Sequence, residues 1–185
     1  MPWRGLEKDL VILDKGAYRS DSGYTLEPAI VSVIQWGTGW IDVRMNDGHS
    51  YKRMGGTLSW RYNNPGNIKF GKFARASGAI GRGWGSHGGH AVFPTYAVGH
   101  AAKKKLLFTP VRKYYNYTLR DAISLYAPAS DNNRPDIYAR FIMRATPGVT
   151  LSTRLKDFNH IQQEQMLRAM ERFEGWKPGK VVRIA

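Results

Sequence analysis

The sequence predicts an α+β fold: a small β-rich segment over residues 1–56, then a mainly helical part over 57–185. Three observations carry this. Residues 29–54 alternate short β-branched or aromatic runs with glycine-containing turns. From Val98 onward the apolar residues recur at helical spacing. Between the two, residues 66–89 hold too many glycines for a helix, with "GAIGRGWGSHGG" at their centre, and read as irregular loop or hairpin. At 185 residues and 42% hydrophobic, the chain is long enough for one substantial core.

The elements follow in order. "AIVSVIQW", "GWIDVRM" and "HSYKRM" read as a three-stranded meander. Asn46-Asp47-Gly48 supplies its second turn, because the hairpin turns that match strand twist need positive φ. Gly55 and Gly56 mark the boundary. Val98, Ala101, Ala102 and Leu106 share one face of a first helix, and Lys103, Lys104 and Lys105 cover much of the other. Thr118 caps a second helix that carries Leu119, Ile123 and Tyr126 inward until Pro128 stops it. "SDNNRP" reads as a capping cluster before a third, whose stripe is Tyr138, Phe141, Ile142 and Ala145. A short helix over 153–158 precedes a last long one from Ile161 to Phe173, closed by Gly175.

Lys plus Arg number 28 against 14 for Asp plus Glu, a net charge of +14 with a pI near 10.1, so the expected partner is polyanionic. Nucleic acid, anionic lipid and acidic wall glycans all satisfy that. The absence of cysteine excludes disulfides and thiolate metal sites, and leaves the redox compartment open. The apolar run Leu10 to Leu13, flanked by acids, is too short for a signal peptide, and no stretch reaches the length of a membrane span. Membrane insertion is therefore not expected. Action outside the cytoplasm would need a route without a cleaved leader, such as phage lysis, incorporation into a virion or a contact-dependent secretion machine.

The chemistry-bearing residues are few. "RYNNPGNIKFG" sets Asn63, Asn64 and Asn67 around a Pro-Gly turn. Such amides either tie the loop to its own backbone or face a polyhydroxylated or amide-bearing ligand. In the last helix the stripe Met166, Leu167, Met170 and Phe173 is centred near Met170; Glu174 falls roughly 50° from that centre, Glu171 about 110° and Glu164 about 130°. Glu174 thus points inward and the other two outward. An acid at a helix end, between apolar neighbours and a glycine, sits where a carboxyl keeps its proton near neutral pH, as a general acid for glycosidic cleavage must. Pairing with Arg172 or Arg183 is the bland alternative. His87, His90 and His100 resemble metal-ligand spacing but lack a carboxylate or a defined turn, so loop histidines lining a cleft are expected and no metal. Neither a G-x-S-x-G motif nor a phosphate loop ending in Gly-Lys-Ser/Thr occurs, and no cofactor is expected. Trp60, Tyr62, Phe70, Phe73, Trp84, Phe93 and Tyr96 divide between core and surfaces that would stack on sugar rings or bases.

Taken together, "GGTLSWRYNNPGNI", "GKFARASGAIG", "GHAVFPTYAVGHAA", "LRDAISLYAP", "DNN" and "FEGWKPG" resemble a lysozyme-like family of bacterial and phage proteins found in virions and among type VI secretion effectors that attack peptidoglycan. More distantly, "NNPGNIKFG" followed by "HAVFPTY" is similar to a loop and strand of glucosaminidases in the lysozyme superfamily. In those enzymes a catalytic Glu precedes the Asn motif, whereas "YKRMGGTLSW" contains no acid. "MLRAMERFEGW" looks like the Glu-ending helix instead, which implies a circularly permuted lysozyme-like arrangement with Glu174 in the cleft of Asn64 and Asn67. The resemblance implies a peptidoglycan glycan-strand hydrolase, a muramidase or lytic transglycosylase. Glu174 would be its acid; Asp131, where similar sequences carry Glu or Asp, would be a second carboxylate or a helix cap. Asn63, Asn64, Asn67, His90 of "GHAVFP" and Tyr126 of "YAP" would bind substrate. The implied partners are peptidoglycan and, for a secreted toxin, an acidic immunity protein; no nucleic acid is expected, and the chain is expected to be a monomer acting in the periplasm or at the wall. A virion structural or nucleic-acid-binding protein of the same shape is the rival, with Lys69, Lys72, Arg75 and Lys103 to Lys105 as phosphate contacts.

The net charge of +14 predicts that retention on anionic wall polymers falls as salt rises, since exposed charges are screened. Sedimentation with purified sacculi at about 50 and about 500 mM salt measures this, the expected result being severalfold weaker retention at the higher concentration.

Overall fold

The computed structural model describes residues 28–85 and 88–184, so the expected β-rich segment before residue 28 lies outside the described residues. Strands β1 (Ile30–Gly37), β2 (Trp40–Met45) and β3 (Ser50–Met54) form the antiparallel meander that their alternation predicts. Gly48 turns β2 into β3 at φ 84°. Ile41, Val43 and Met45 face inward with Ile30 and Tyr51, all nearly or fully buried. On the opposite face Asp42 is buried too, because Lys52 pairs with it at 2.7 Å while lying over the Trp40 ring, and Gln35 donates to it at 2.7 Å.

A fourth strand, labelled β6 (Lys180–Arg183) by its place in the chain, pairs antiparallel with β3, setting Tyr51 opposite Arg183 and Met54 opposite Lys180. The division expected at residue 56 therefore does not follow the edge of the sheet, and Tyr62 and Val92 complete the sheet's core from beyond it. The boundary glycine has another use. A Cβ on Gly56 would lie 2.5 Å from the Lys177 carbonyl oxygen, so glycine there admits the returning chain.

A short helix α1 (Leu58–Arg61) precedes the glycine-rich stretch, which holds a second, α2 (Lys72–Ala76), and leads into a hairpin of β4 (Gly81–Gly83) and β5 (His90–Val92). Helix α2 is absent from the sequence expectation, which had only loop or hairpin here. Gly83 packs directly on the Tyr62 ring, 2.3 Å from where a Cβ would sit, and the Trp84 amide donates to the Tyr62 hydroxyl at 2.9 Å.

Four longer helices follow: α3 (Tyr96–Phe108), α4 (Leu119–Tyr126), α5 (Pro135–Ala145) and α6 (His160–Glu174). Thr118 caps α4 as expected, and Asn159 with Gln162 forms a capping box for α6. Leu107, Leu119, Ile123, Tyr138, Ile142, Met166, Leu167 and Met170 meet in the helical core. Two details depart from expectation at α5 and before α6. The "SDNN" cluster forms a 3-10 turn over Ala129–Asp131 and supplies no side-chain cap to α5, and 153–158 holds only the 3-10 turn Leu155–Asp157. In α3 the buried face is Gly99, Ala102, Lys103 and Leu107, and Ala101 is exposed. The fold is α+β. Among the described residues no helix is long and apolar enough to cross a membrane.

Gly99 explains the rotation of α3: a Cβ there would lie 1.8 Å from the Asn63 carbonyl oxygen, so only glycine lets the helix reach the asparagine turn. Gly99→Ala gains about 1 kcal/mol of helix propensity but forces that backbone apart, which costs more. The expected net loss of about 2 kcal/mol lowers the melting temperature by about 4–8 °C, read by circular dichroism.

Candidate functional site

The asparagine turn is held by its own side chains. Asn63 and Asn67 have φ of 51° and 45°, left-handed values that asparagine tolerates better than most residues. The Asn63 amide donates to the carbonyls of Phe93 and Pro94 at 3.2 and 3.0 Å and accepts from Arg53 at 3.0 Å. Asn64, fully buried, donates to the Ile68 and Ala91 carbonyls and accepts from the Ile68 amide, each at 2.9 Å. Both amides tie the loop to the neighbouring backbone, the first of the two roles expected for them. Asn67 differs. Its Nδ2 donates to Glu174 Oε2 at 3.1 Å, across 107 positions of sequence.

Glu174 is the last residue of α6, and Gly175 turns the chain away at φ 78°, its amide returning to the Glu171 carbonyl. The Glu174 side chain is 15% exposed. Besides Asn67 it accepts a short hydrogen bond from the Tyr138 hydroxyl of α5 and lies 3.7 Å from the Lys103 ammonium of α3. Lys103 is fully buried and donates to the Pro65 carbonyl at 2.9 Å. Tyr126, at the end of α4, donates to the Gly66 carbonyl at 2.7 Å, its ring 5.9 Å from the Lys103 nitrogen. Four helices and the turn thus converge on one carboxylate. Burial pushes Lys103 down, against the pull of the Glu174 and Glu171 charges. Burial pushes the Tyr126 and Tyr138 phenols well above their ordinary value, and the Glu174 charge adds to this. Both phenols stay protonated as donors.

Neither Glu164 nor Glu171 points freely outward, contrary to expectation. Glu164 pairs with His100 at 2.8 Å and Lys104 at 2.9 Å, and Glu171 accepts from Tyr96 at 2.6 Å. Helix α3 lies against that side of α6, so both faces of α6 are packed. Lys103 and Lys104 are accordingly not the solvent-facing phosphate contacts of the rival reading. Asp131 sits exposed in the 3-10 turn, and none of the contacts of Glu174 involves it.

His90 is apart from the carboxylate. Its Nε2 lies 3.1 Å from the Lys69 ammonium and its Nδ1 3.4 Å from the Trp84 carbonyl; burial and then the Lys69 charge push its pKa down, which keeps the ring neutral. His100 belongs to the Glu164 pair, and His87 lies outside the described residues. Among the described residues no three His, Cys, Asp or Glu side chains gather as a metal ligand set. Tyr62 and Phe93 are core, and Trp84 is exposed. An aromatic ledge not foreseen adjoins Glu174: Phe173 stacks on Tyr138 at 4.1 Å and meets Phe141 at 5.4 Å, with Phe141 and Phe173 over a third exposed. A separate depression of about 470 Å³, lined by Thr118, Arg120, Asp121, Met143, Thr150, Leu151 and Ser152, includes none of the expected site residues.

No protein-family model matches the chain, and no curated protein matches it. The site is read from its own geometry.

Asn64→Ala removes three buried hydrogen bonds; the Ile68 carbonyl keeps the Ala91 amide, whereas the Ile68 amide and the Ala91 carbonyl lose the Asn64 side chain, and at about 1–3 kcal/mol for each of these two groups the loss reaches at least about 2 kcal/mol. Asn67→Gly, which keeps the left-handed φ without strain, removes one partly buried bond and costs about 1 kcal/mol or less. Urea unfolding midpoints of the two variants measure the difference.

Proposed function

We propose that the protein cleaves the glycan strand of peptidoglycan, as a muramidase or lytic transglycosylase, with Glu174 as the proton donor. The observation that supports this reading is the mostly sheltered Glu174 carboxyl at the end of α6, in hydrogen-bond contact with Asn67 of the asparagine turn. The protonated form of Glu174 gives its proton to the glycosidic oxygen as the bond to the anomeric carbon breaks, leaving the carboxylate beside Lys103. Asn67, its amide turned to the same point, exchanges that bond for one to a sugar hydroxyl or N-acetyl group. Phe173 and Phe141 offer exposed ring faces for a sugar next to the acid. With Asp131 outside the cluster, water or the substrate's own N-acetyl group completes the reaction. The charge of +14 draws the protein to the anionic wall. Delivery by a phage or a secretion machine, and for a secreted toxin an acidic immunity protein covering the site, belong to the same proposal.

A second reading is a polyanion-binding structural protein in which Glu174 only ties helices together. It is favoured by the net charge of +14 and by the bonds of Glu174 to Asn67, Tyr138 and Lys103, which join three helices to the turn whatever the chemistry. Clearing of purified sacculi by the unsubstituted protein and by Glu174→Gln separates the two. The expected result is a loss of at least about 100-fold in released muropeptides for Glu174→Gln, the usual scale for a general acid. Mass spectrometry of the ends then identifies the bond. Equal clearing by both proteins removes Glu174 from the chemistry; binding without clearing by either supports the second reading.

A further inference from the structure

Lys103 is a charged group where charge is expensive. It is fully buried, and an ammonium removed from water is costly unless closely compensated. Methionine would fill nearly the same space, and replacing buried ion pairs by apolar groups often leaves stability unchanged or improved. Stability alone therefore gives no reason for lysine at this position.

The surroundings supply one. The stem of Lys103 is wedged against the asparagine turn: a Cβ on Gly66 would lie 3.2 Å from both Lys103 Cβ and Cγ. Its head is fixed by the Pro65 carbonyl at 2.9 Å and faces Glu174 Oε1 at 3.7 Å. The groups around the Glu174 carboxyl are Lys103 from α3, Tyr126 from α4, Tyr138 from α5, Glu171 of its own helix and the neutral Asn67 of the turn. The tyrosines are phenols and Glu171, engaged by Tyr96, repels; Lys103 is the cation of the set.

We propose that Lys103 is the positioning residue of this site: its buried ammonium locks the Glu174 carboxyl against the asparagine turn and sets the pH at which that carboxyl gains or loses its proton. The consequence for bond cleavage rests on the proposed function; the coupling of the two charges does not. An opposite charge this close lowers a carboxyl's pKa by one to three pH units, so removing it should raise Glu174 by about that amount.

The test is carboxyl-carbon NMR of the full chain labelled with 13C-glutamate, with Glu174 assigned from the spectrum of Glu174→Gln. The expected result is that Glu174 titrates about one to three units higher in Lys103→Met than in the unsubstituted protein. Lys103→Gln can keep the bond to Pro65 without the charge, and carries the measurement if the methionine variant does not fold. It is expected to shift in the same direction, and Lys103→Arg, which keeps the charge, by less than about half a unit. A Glu174 titration that stays put in both neutral variants overturns the proposal. Where the protein clears sacculi, the high-pH limb of activity should move up with the NMR midpoint. If the protein clears none, the proposed function fails while the NMR shift still decides the role of Lys103.

Discussion

The buried ammonium of Lys103 is the constraint on which the rest of the helical part depends. Buried away from solvent, it must be answered by oxygen atoms from elsewhere in the chain, and the Pro65 carbonyl and the Glu174 carboxylate answer it. That requirement ties α3 to the turn and to the end of α6. Glu174 in turn takes Tyr138 from α5, and Tyr126 from α4 closes over the Gly66 carbonyl. Each bond satisfies a group that would be costly to leave alone, so the parts of the cluster hold one another in place. Gly99 and Gly66 are small because the lysine and the turn must come this close.

The charge distribution has two scales. Over the whole sequence positive charge dominates by +14. Along the contact of α3 with α6, acids and bases are matched instead: Glu164 with His100 and Lys104, Glu174 with Lys103. Burial pushes Glu164 up, but Lys104 and His100 outweigh it and hold the carboxyl below its ordinary value. A lowered carboxyl favours the folded state above its unfolded pKa, and that contribution fades as pH falls through the folded value, so this contact weakens in acid. The exposed faces of the two helices carry further positive charge at Lys105, Arg168 and Arg172.

Much of the fold was legible in local pattern. The meander, the turn at Gly48, the Thr118 cap and the end of α6 at Gly175 follow from spacing and from residues with definite backbone preferences. The inward turn of Glu174 was legible as an angle on a helix. What escaped was long-range. The charge of Lys103 marks it for the outer face, yet Gly99, Ala102, Lys103, Leu106 and Leu107 recur at i, i+3, i+4, i+7 and i+8, with the lysine mid-stripe. Reading the small residues as the contact face would have found it. The roles of Asn63 and Asn64 could not be separated from that of Asn67 by sequence, since the Phe93, Pro94 and Ala91 carbonyls that hold the first two and the Glu174 carboxyl that meets the third all lie far along the chain. Pairing of β6 with β3 was likewise invisible, because a four-residue strand carries little periodicity of its own.

That late strand has a kinetic meaning. Thr57 and the Lys177 carbonyl, 120 positions apart, meet beside it, and the loop they close is among the longest in the molecule. Such closures form slowly, since chain entropy must be surrendered before the contact rewards it. Until residues 180–183 pair with it, β3 has an open edge. An undocked β6 leaves β3 with unpaired backbone groups, the kind of edge on which another chain can pair.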